Sequence, residues 1–387
     1  MAIASGARYA LRYIAEVTHG VTPTTPVMKA LRFLAGPGLD LKKDIYQSKE
    51  VRQDRMISNV RHGMRKVDGT INFEMSLATF DDFMLAAISG AWTTPTSGAI
   101  SLSTTATDVV GTSGWANMFF VGDLVTLTGF TQGSTNGKWK IQALTLTNMT
   151  LCNPTTGVVA ALTSEVSAAG KTVALTGHIA NVGTTLTTFT IEEAYTDISQ
   201  YYPYRGCAIN TMDLSIKPGA IVTGSFGLLG IDLTAPSGTT IASSVTAAVT
   251  NAPMDSYIGG IWEGGVNLAL ITGMDLKLNN NRAVQGIVGS KVTQDIYEGQ
   301  SDVTGKVTVL FQDLTLYNKF LNETVTSLDV LLNDANGTDF LRFYVPAAKY
   351  TDAPLNPPKD GPVIMTLPFT ATVDAVTGTT FRIQRSN

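Results

Sequence analysis

His19, His62 and His178 are the three histidines of a 387-residue chain. They are far apart in sequence and form neither an HExxH pattern nor a Cys/His zinc spacing, so they read as ordinary loop or surface residues. Cys152 and Cys207 have no partner at metal-ligand spacing, and two cysteines cannot frame so long a chain with disulfides; both read as small core residues. The run Gly224-Ser-Phe-Gly227-Leu-Leu-Gly230 is glycine-rich but lies on a strand pattern and opens no helix. It reads as a bulge or a close backbone approach, not a dinucleotide fingerprint, and the chain holds no Gly-x-Ser-x-Gly elbow or Walker loop. Asp81 and Asp82 stand in the first turn of an expected helix, where the macrodipole favours negative charge. Glu192 and Glu193 stand on an expected strand, where neighbours point to opposite faces and do not share a proton. The basic cluster Arg52, Arg55, Arg61, Arg65 and Lys66 is the one local feature that suggests nucleic acid. It is interleaved with Glu50, Asp54 and Asp68 and holds no aromatic for base stacking, so salt bridges to a neighbouring surface are the better reading. These patterns support no enzyme, no cofactor and no metal.

The elements that position the cluster are clear. A charged extended arm, residues 50–68, runs through Gly69 into a strand on which Ile71, Phe73, Met75 and Leu77 alternate with polar residues, the mark of one buried face. Thr79 is the expected N-cap of a short amphipathic helix carrying Phe80, Phe83, Met84, Ala87 and Ile88 and stopping at Gly90. Ordering such an arm alone is costly, and it becomes sensible if another subunit supplies its partner. Glu50, Arg52, Asp54, Arg55, Arg61, Arg65 and Lys66 are therefore the candidate inter-subunit contacts. Strands with open edges point the same way.

Composition sets the class. With 44% apolar and 15% charged residues and 36 glycines, the chain reads as folded and mainly β. A net charge of −4 and a pI near 5.4 argue against tight duplex binding, which comes mainly from phosphates neutralised by Lys and Arg. The N-terminus has Arg8 and Arg12 inside its apolar part and no cleavage pattern, so no signal peptide is expected, and no run has the length of a membrane span.

In chain order, the loop containing Pro23 and Pro26 is expected to be extended, and residues 29–34 and 39–43 to form two strands about a turn at residues 36–38. Between Pro95 and Thr190 only Asp108, Asp123, Lys138, Lys140, Glu165 and Lys171 are charged, and short alternating runs such as 124–128 and 139–146 mark an inserted all-β module. Alternation resumes at 212–216 and 220–226, and residues 231–256 are small and unperiodic. Beyond residue 256 the earlier pattern returns: a Gly-led strand at Gly305 and a helix after Thr315 match those at Gly69 and Thr79. Gly69 and Gly305 are 236 residues apart and Gly219 and Gly361 are 142 apart, so the first copy holds 94 residues that the second lacks, close to the length of the inserted module. The expected organisation is a first domain in two parts, 1–94 and 189–235, an inserted module at 95–188, a linker at 236–256 and a second domain at 257–387.

Residues 48–88, SKEVRQDRMISNVRHGMRKVDGTINFEMSLATFDDFMLAAI, together with residues 195–230, YTDISQYYPYRGCAINTMDLSIKPGAIVTGSFGLLG, resemble the major tail tube proteins of long-tailed, non-contractile bacteriophages. The likeness covers roughly residues 5–92 and 188–232, with the second copy alike in pattern only. It implies two tube-type β-sandwich or barrel domains, each with a short helix, and subunits that form stacked rings around a lumen through which DNA passes at ejection. A duplicated domain implies rings of three chains with pseudo-six-fold symmetry; hexamers of single domains are the family alternative. The implied partners are further copies of the chain, the tape-measure protein and the tail terminator. DNA would be in transit only, and no membrane is involved. The implied location is the virion tail, after synthesis in the host cytoplasm. The inserted module is expected to project outward, as decoration or, alternatively, as a carbohydrate-binding adhesin.

Overall fold

The computed structural model describes residues 3–93, 102–111, 119–168, 170–257, 259–268, 270–334 and 336–386. The expected boundary at 94–95 lies outside them. Strand makes up 52% of the described residues and helix 5%, the outcome expected of a Thr-, Ser- and Val-rich chain punctuated by glycine. Two short helices are present among the described residues, α1 (Asp81–Ile88) and α2 (Thr315–Leu321).

One sheet passes without a break through eight strands, each bonded to the next: Leu34–Gln47, Val60–Glu74, Thr223–Gly230, Gln200–Ile216, Ile271–Asn279, Asp302–Leu310, Ile364–Ala371 and Phe340–Tyr350. Period-two alternation gives it one apolar face, built from residues such as Ile71, Phe73, Phe226, Leu214, Leu276, Val307 and Leu367, and one polar face. A second layer packs on the apolar face. Before residue 256 it consists of Tyr9–Ala15, Thr188–Tyr195 and the first part of Gln200–Ile216. After it, Gly259–Glu263, Thr326–Asn333 and Arg382–Arg385 join the first part of Phe340–Tyr350. Helix α1 fills the first half of the core: Phe83 stacks on Phe189 with ring centroids 4.9 Å apart, and Phe73 on Phe226 at 4.5 Å. Each such buried phenylalanine contributes about 1.5–3 kcal/mol.

Gln200–Ile216 belongs to both layers. Along one edge its residues 200–208 pair with Thr188–Tyr195, and its residues 211–216 then pair with Ile271–Asn279. The chain's two halves are thus joined by sheet, with Leu214 opposite Leu276.

Several geometrical details occur twice. The Met75 N–H donates to Val222 O as the Phe311 N–H donates to Val363 O. Leu39 is paired with Gly69 as Leu276 is with Gly305, and Leu214 with Gly224 as Leu355 is with Met365. A Cβ on Gly69 would lie 2.3 Å from Gly38 O and one on Gly305 the same distance from Asp275 O, so both places require glycine. Register shifts fall at Phe189/Ile191 and at Thr326/Leu328. Gly69 and Gly305 are 236 residues apart, Leu39 and Leu276 237, the register shifts 137, and Leu214 and Leu355 141. The spacing of 141 is one less than Gly219 and Gly361 suggest, because those glycines lie in turns, where register is free.

Residues 102–175 supply a separate seven-stranded sheet with its own core, including Val109, Leu127, Ile141, Met149 and Leu151. It lies against the second half: Leu124 packs with Leu331 and Phe340, and Thr326–Asn333 is consequently covered on both faces.

Four local expectations change. Residues 36–38 are not a turn between strands but lie inside Leu34–Gln47, where a register shift between Leu34 and Gly38 absorbs the Gly-Pro-Gly sequence. Thr79 does not cap α1; Phe80 holds that place, and the Thr79 hydroxyl bonds with that of Ser76, 2.7 Å away. The start of the chain, expected from the sequence as a polar arm ahead of the Pro23–Pro26 loop, includes a core strand, Tyr9–Ala15, because Leu11 and Tyr13 alternate inward. Residues 231–256 are strapped to the first half: Ser244–Thr246 pairs in parallel with Val27–Lys29, and Ile241 N–H and Thr240 Oγ1 donate to the Glu192 carboxylate at 2.8 and 2.7 Å.

Candidate assembly interface

The arm is a β-hairpin. Leu34–Gln47 and Val60–Glu74 stay paired out to Gln47 and Val60, and the Ser48 N–H donates to Asn59 O at 3.0 Å to close a fully exposed tip, residues 48–59. Pairing between its own strands, not only a partner, therefore orders most of it. The structure divides the candidate contacts. Glu50, Arg52, Asp54 and Arg55 are on the tip and Arg61 on the exposed outer strand, whereas Arg65 and Lys66 stand at the half-buried base. Arg52 and Asp54 pair with each other at 2.6 Å. Arg65 is held inside the chain, its guanidinium 2.9 Å from the buried Asp232, which Arg205 also meets at 3.2 Å. Arg65 thus anchors the hairpin to the body of the chain. The arm also exposes Ile45, Tyr46, Val51, Met56, Ile57 and Val60, an apolar set that the charge pattern conceals.

Two sheet edges complete the surface. Leu34–Gln47 pairs through one edge, with Val60–Glu74. At the other end of the eight strands, residues 351–356 continue alongside Ile364–Ala371: Thr351 N–H donates to Pro368 O, and Leu355 is opposite Met365. Neither outer edge has a strand partner among the described residues, and open edges are templates for pairing. Their positions depend on how the chain is wound, so residue types do not mark them.

The polar face of the eight strands curls into a groove of about 900 Å³ lined by Asn72, Asp213, Ser215, Asp275, Lys277 and Lys306 among others. Its charges meet in pairs, Lys306 with Asp275 at 3.2 Å and Lys277 with Asp213 at 3.6 Å, and Ser215 Oγ donates to Asp275 at 2.6 Å.

No catalytic constellation comes together among these groups. His19 pairs with Asp295, His62 is on the arm and His178 on a strand beside Arg382–Arg385. Cys152 and Cys207 are buried, and burial pushes the Cys152 thiol up to about 11. Glu192 and Glu193 do face opposite ways: Glu192 meets Arg12 at 3.1 Å, while Glu193 accepts from Leu39 N–H at 2.9 Å and is raised by burial. Asp82 pairs with Lys29 and Asp81 with Arg385. Among the described residues no group of His, Cys, Asp or Glu could hold a metal ion, and no helix is long and apolar enough to cross a membrane.

The densest buried polar cluster is where the inserted sheet meets the second half. Lys140 Nζ is 2.7 Å from Asp329, Arg342 Nε 2.8 Å from Asp329, and Asp123 lies 2.9 Å from Arg382 and 3.3 Å from Arg342. Desolvation would raise the Asp329 carboxyl, but the Arg342 and Lys140 charges outweigh it and hold it low. Lys140 is brought down to about 8 by burial. In the sequence these residues stand out only as sparse charge; that two of the module's few charges are fully buried is a property of the tertiary structure.

The distinctive surfaces of this mainly β chain are an exposed hairpin, two sheet edges without a strand neighbour among the described residues and a polar groove. The family described as phage tail tube protein matches residues 6–373, and the chain belongs to it. No curated protein matches the chain. Its role is that of a structural component of the tail tube in the virion, and the family is not one of enzymes. Membership implies self-assembly into a tube.

Proposed function

We propose that the chain is a tandem duplication, interrupted in its first copy, and that three chains close into a ring of pseudo-six-fold symmetry. The observation that carries this reading is the sheet joint at Leu214 and Leu276. By the correspondence of Leu39 with Leu276 and of Leu214 with Leu355, the same joint made between subunits would set Leu355 of one chain against Leu39 of the next; both lie on strands with no outer strand neighbour among the described residues, and the Leu39 N–H and O would exchange their bonds to Glu193 and Tyr204 for bonds to the incoming strand. Strand addition of this kind supplies a row of main-chain hydrogen bonds, and a heterologous contact closes when its rotation allows.

Stacked rings would form the tube of a long, non-contractile tail, with the groove face toward the lumen. A conduit for DNA must bind it weakly, and lysines already neutralised by neighbouring carboxylates have little to offer a phosphate. During assembly the lumen would hold the tape-measure protein, and a terminator would cap the tube. The inserted sheet lies on the layer opposite the groove and so faces outward in this reading. Its buried ion pairs to the second half favour structural cover over a carbohydrate-binding adhesin. Electron cryo-microscopy of assembled protein tests the reading: rings of three chains with eight strands per chain facing the lumen are expected, and rings of six chains or a lumen lined by other strands would overturn it.

A further inference from the structure

Helices α1 and α2 end in the same way but are covered differently. Ser89 and Glu323, each just past its helix, have φ of 51° and 50°, and the next N–H in each case, Gly90 or Thr324, donates to the carbonyl five residues back, Leu85 or Lys319. Around α1 the end is closed. Asn280 Nδ2 donates to Ala87 O at 2.8 Å, Arg282 Nη2 donates to Ser89 Oγ at 2.8 Å, and the Arg282 N–H donates to Asn210 Oδ1 at 2.8 Å. A cation and donors at a helix C-terminus meet its free carbonyls and the negative end of its dipole. Five α1 residues are buried, and none of α2 is. At the corresponding end of α2, Leu321 and Val325 are 58% and 53% exposed, and beside the helix lies a cavity of about 230 Å³ lined by Val266, Leu270, Val309 and Leu316.

The segment that covers α1, residues 280–301, connects Ile271–Asn279 to Asp302–Leu310. The connection in the same place of the first half, between Leu34–Gln47 and Val60–Glu74, is the arm. Continuing the pairing of Leu39 with Leu276, Lys43 stands where Asn280 stands and Ile45 where Arg282 stands. We infer that the arm of one subunit lies across the α2 end of the next subunit in the same ring, as 280–301 lies across α1 within the chain. Its exposed Ile45 and Tyr46 and its lysines meet the exposed Leu321, Val325 and Glu323. The arm is thus a contact within the ring, whatever its outer tip does between rings. This rests on the three-chain ring proposed for the assembled protein.

Carbodiimide cross-linking of tubes assembled from mixed light and ¹⁵N-labelled full-length chains, read by mass spectrometry, tests it. A mixed-label link between the Lys43 or Lys49 peptide and the Glu323 peptide is expected. Tubes whose rings have three chains but whose arm lysines link elsewhere, or not at all, would overturn the inference and leave the ring reading standing. Failure of the wild-type chain to form three-chain rings would overturn both. As a second arm, Leu321→Asp with Val325→Asp changes only exposed side chains, so the monomer's melting should be unchanged while ring formation weakens at least about tenfold; unimpaired assembly would count against the contact.

Discussion

Lys140 of the inserted sheet and Asp329 of the second half form an ion pair of 2.7 Å in which both side chains are only 4% exposed. Although the insertion leaves the chain from the first half, its buried charges bind it to the second. Low dielectric makes such a pair costly to break, because one partner would remain buried and uncompensated.

Asp329→Asn leaves Lys140 and Arg342 facing a neutral amide, and a loss of about 3–5 kcal/mol is expected in urea unfolding at pH 7. The sign of the pH dependence comes from the lowered carboxyl. Its stabilisation is complete above the ordinary aspartate range and is lost as pH falls through the lower folded value. Wild type should therefore lose stability on acidification over that range more steeply than the variant; parallel curves would show that the carboxylate charge is unimportant.

Removing residues 48–59 and closing Gln47 to Val60 with a two-residue turn deletes only exposed chain. A soluble monomer with a melting temperature within about 3 °C of wild type is expected, since substitution away from buried features moves stability by about 0.5 kcal/mol or less. Tubes should not form in sedimentation or negative-stain images. A deletion reaching residue 66 would be a poorer test, because it removes Arg65 from Asp232.

The ring joint has a charge test. Thr211 is opposite Asn279 within the chain, and the corresponding residues across the proposed joint are Asp352 of one subunit and Lys42 of the next. Asp352→Lys sets like charges opposite each other and should weaken ring formation, whereas adding Lys42→Asp should restore it in part. Equal loss in the single and double variants, measured by analytical ultracentrifugation, would show that these residues do not meet.

Phe83→Ala empties a fully buried site between Tyr13, Phe189 and Phe226 and should cost about 3–5 kcal/mol. Phe320 on α2 is only half-buried, so Phe320→Ala should cost less than half as much in the free chain. Chemical denaturation of both variants decides; equal losses would mean that α2 is packed as tightly as α1.

Period and punctuation in the sequence were enough for the strand through Ile71 and Phe73, helix α1 and the inserted all-β run, since each depends on residues close in sequence. The arm's charges were visible too. Its hairpin pairing was not, because the partner strand, residues 34–47, is broken by Gly36-Pro37-Gly38 and only the opposing strand shows that a bulge absorbs them. Which charges would be buried also lay beyond the sequence: Asp329, Lys140, Asp123 and Arg382 come together only when two sheets pack. That the strands of Leu39 and Leu355 have no outer strand neighbour among the described residues is a property of topology, for an edge exists only where the winding of the chain leaves a strand unpaired. So local order and chemical class belonged to the sequence alone, while the surfaces available to another copy of the chain were decided by tertiary structure.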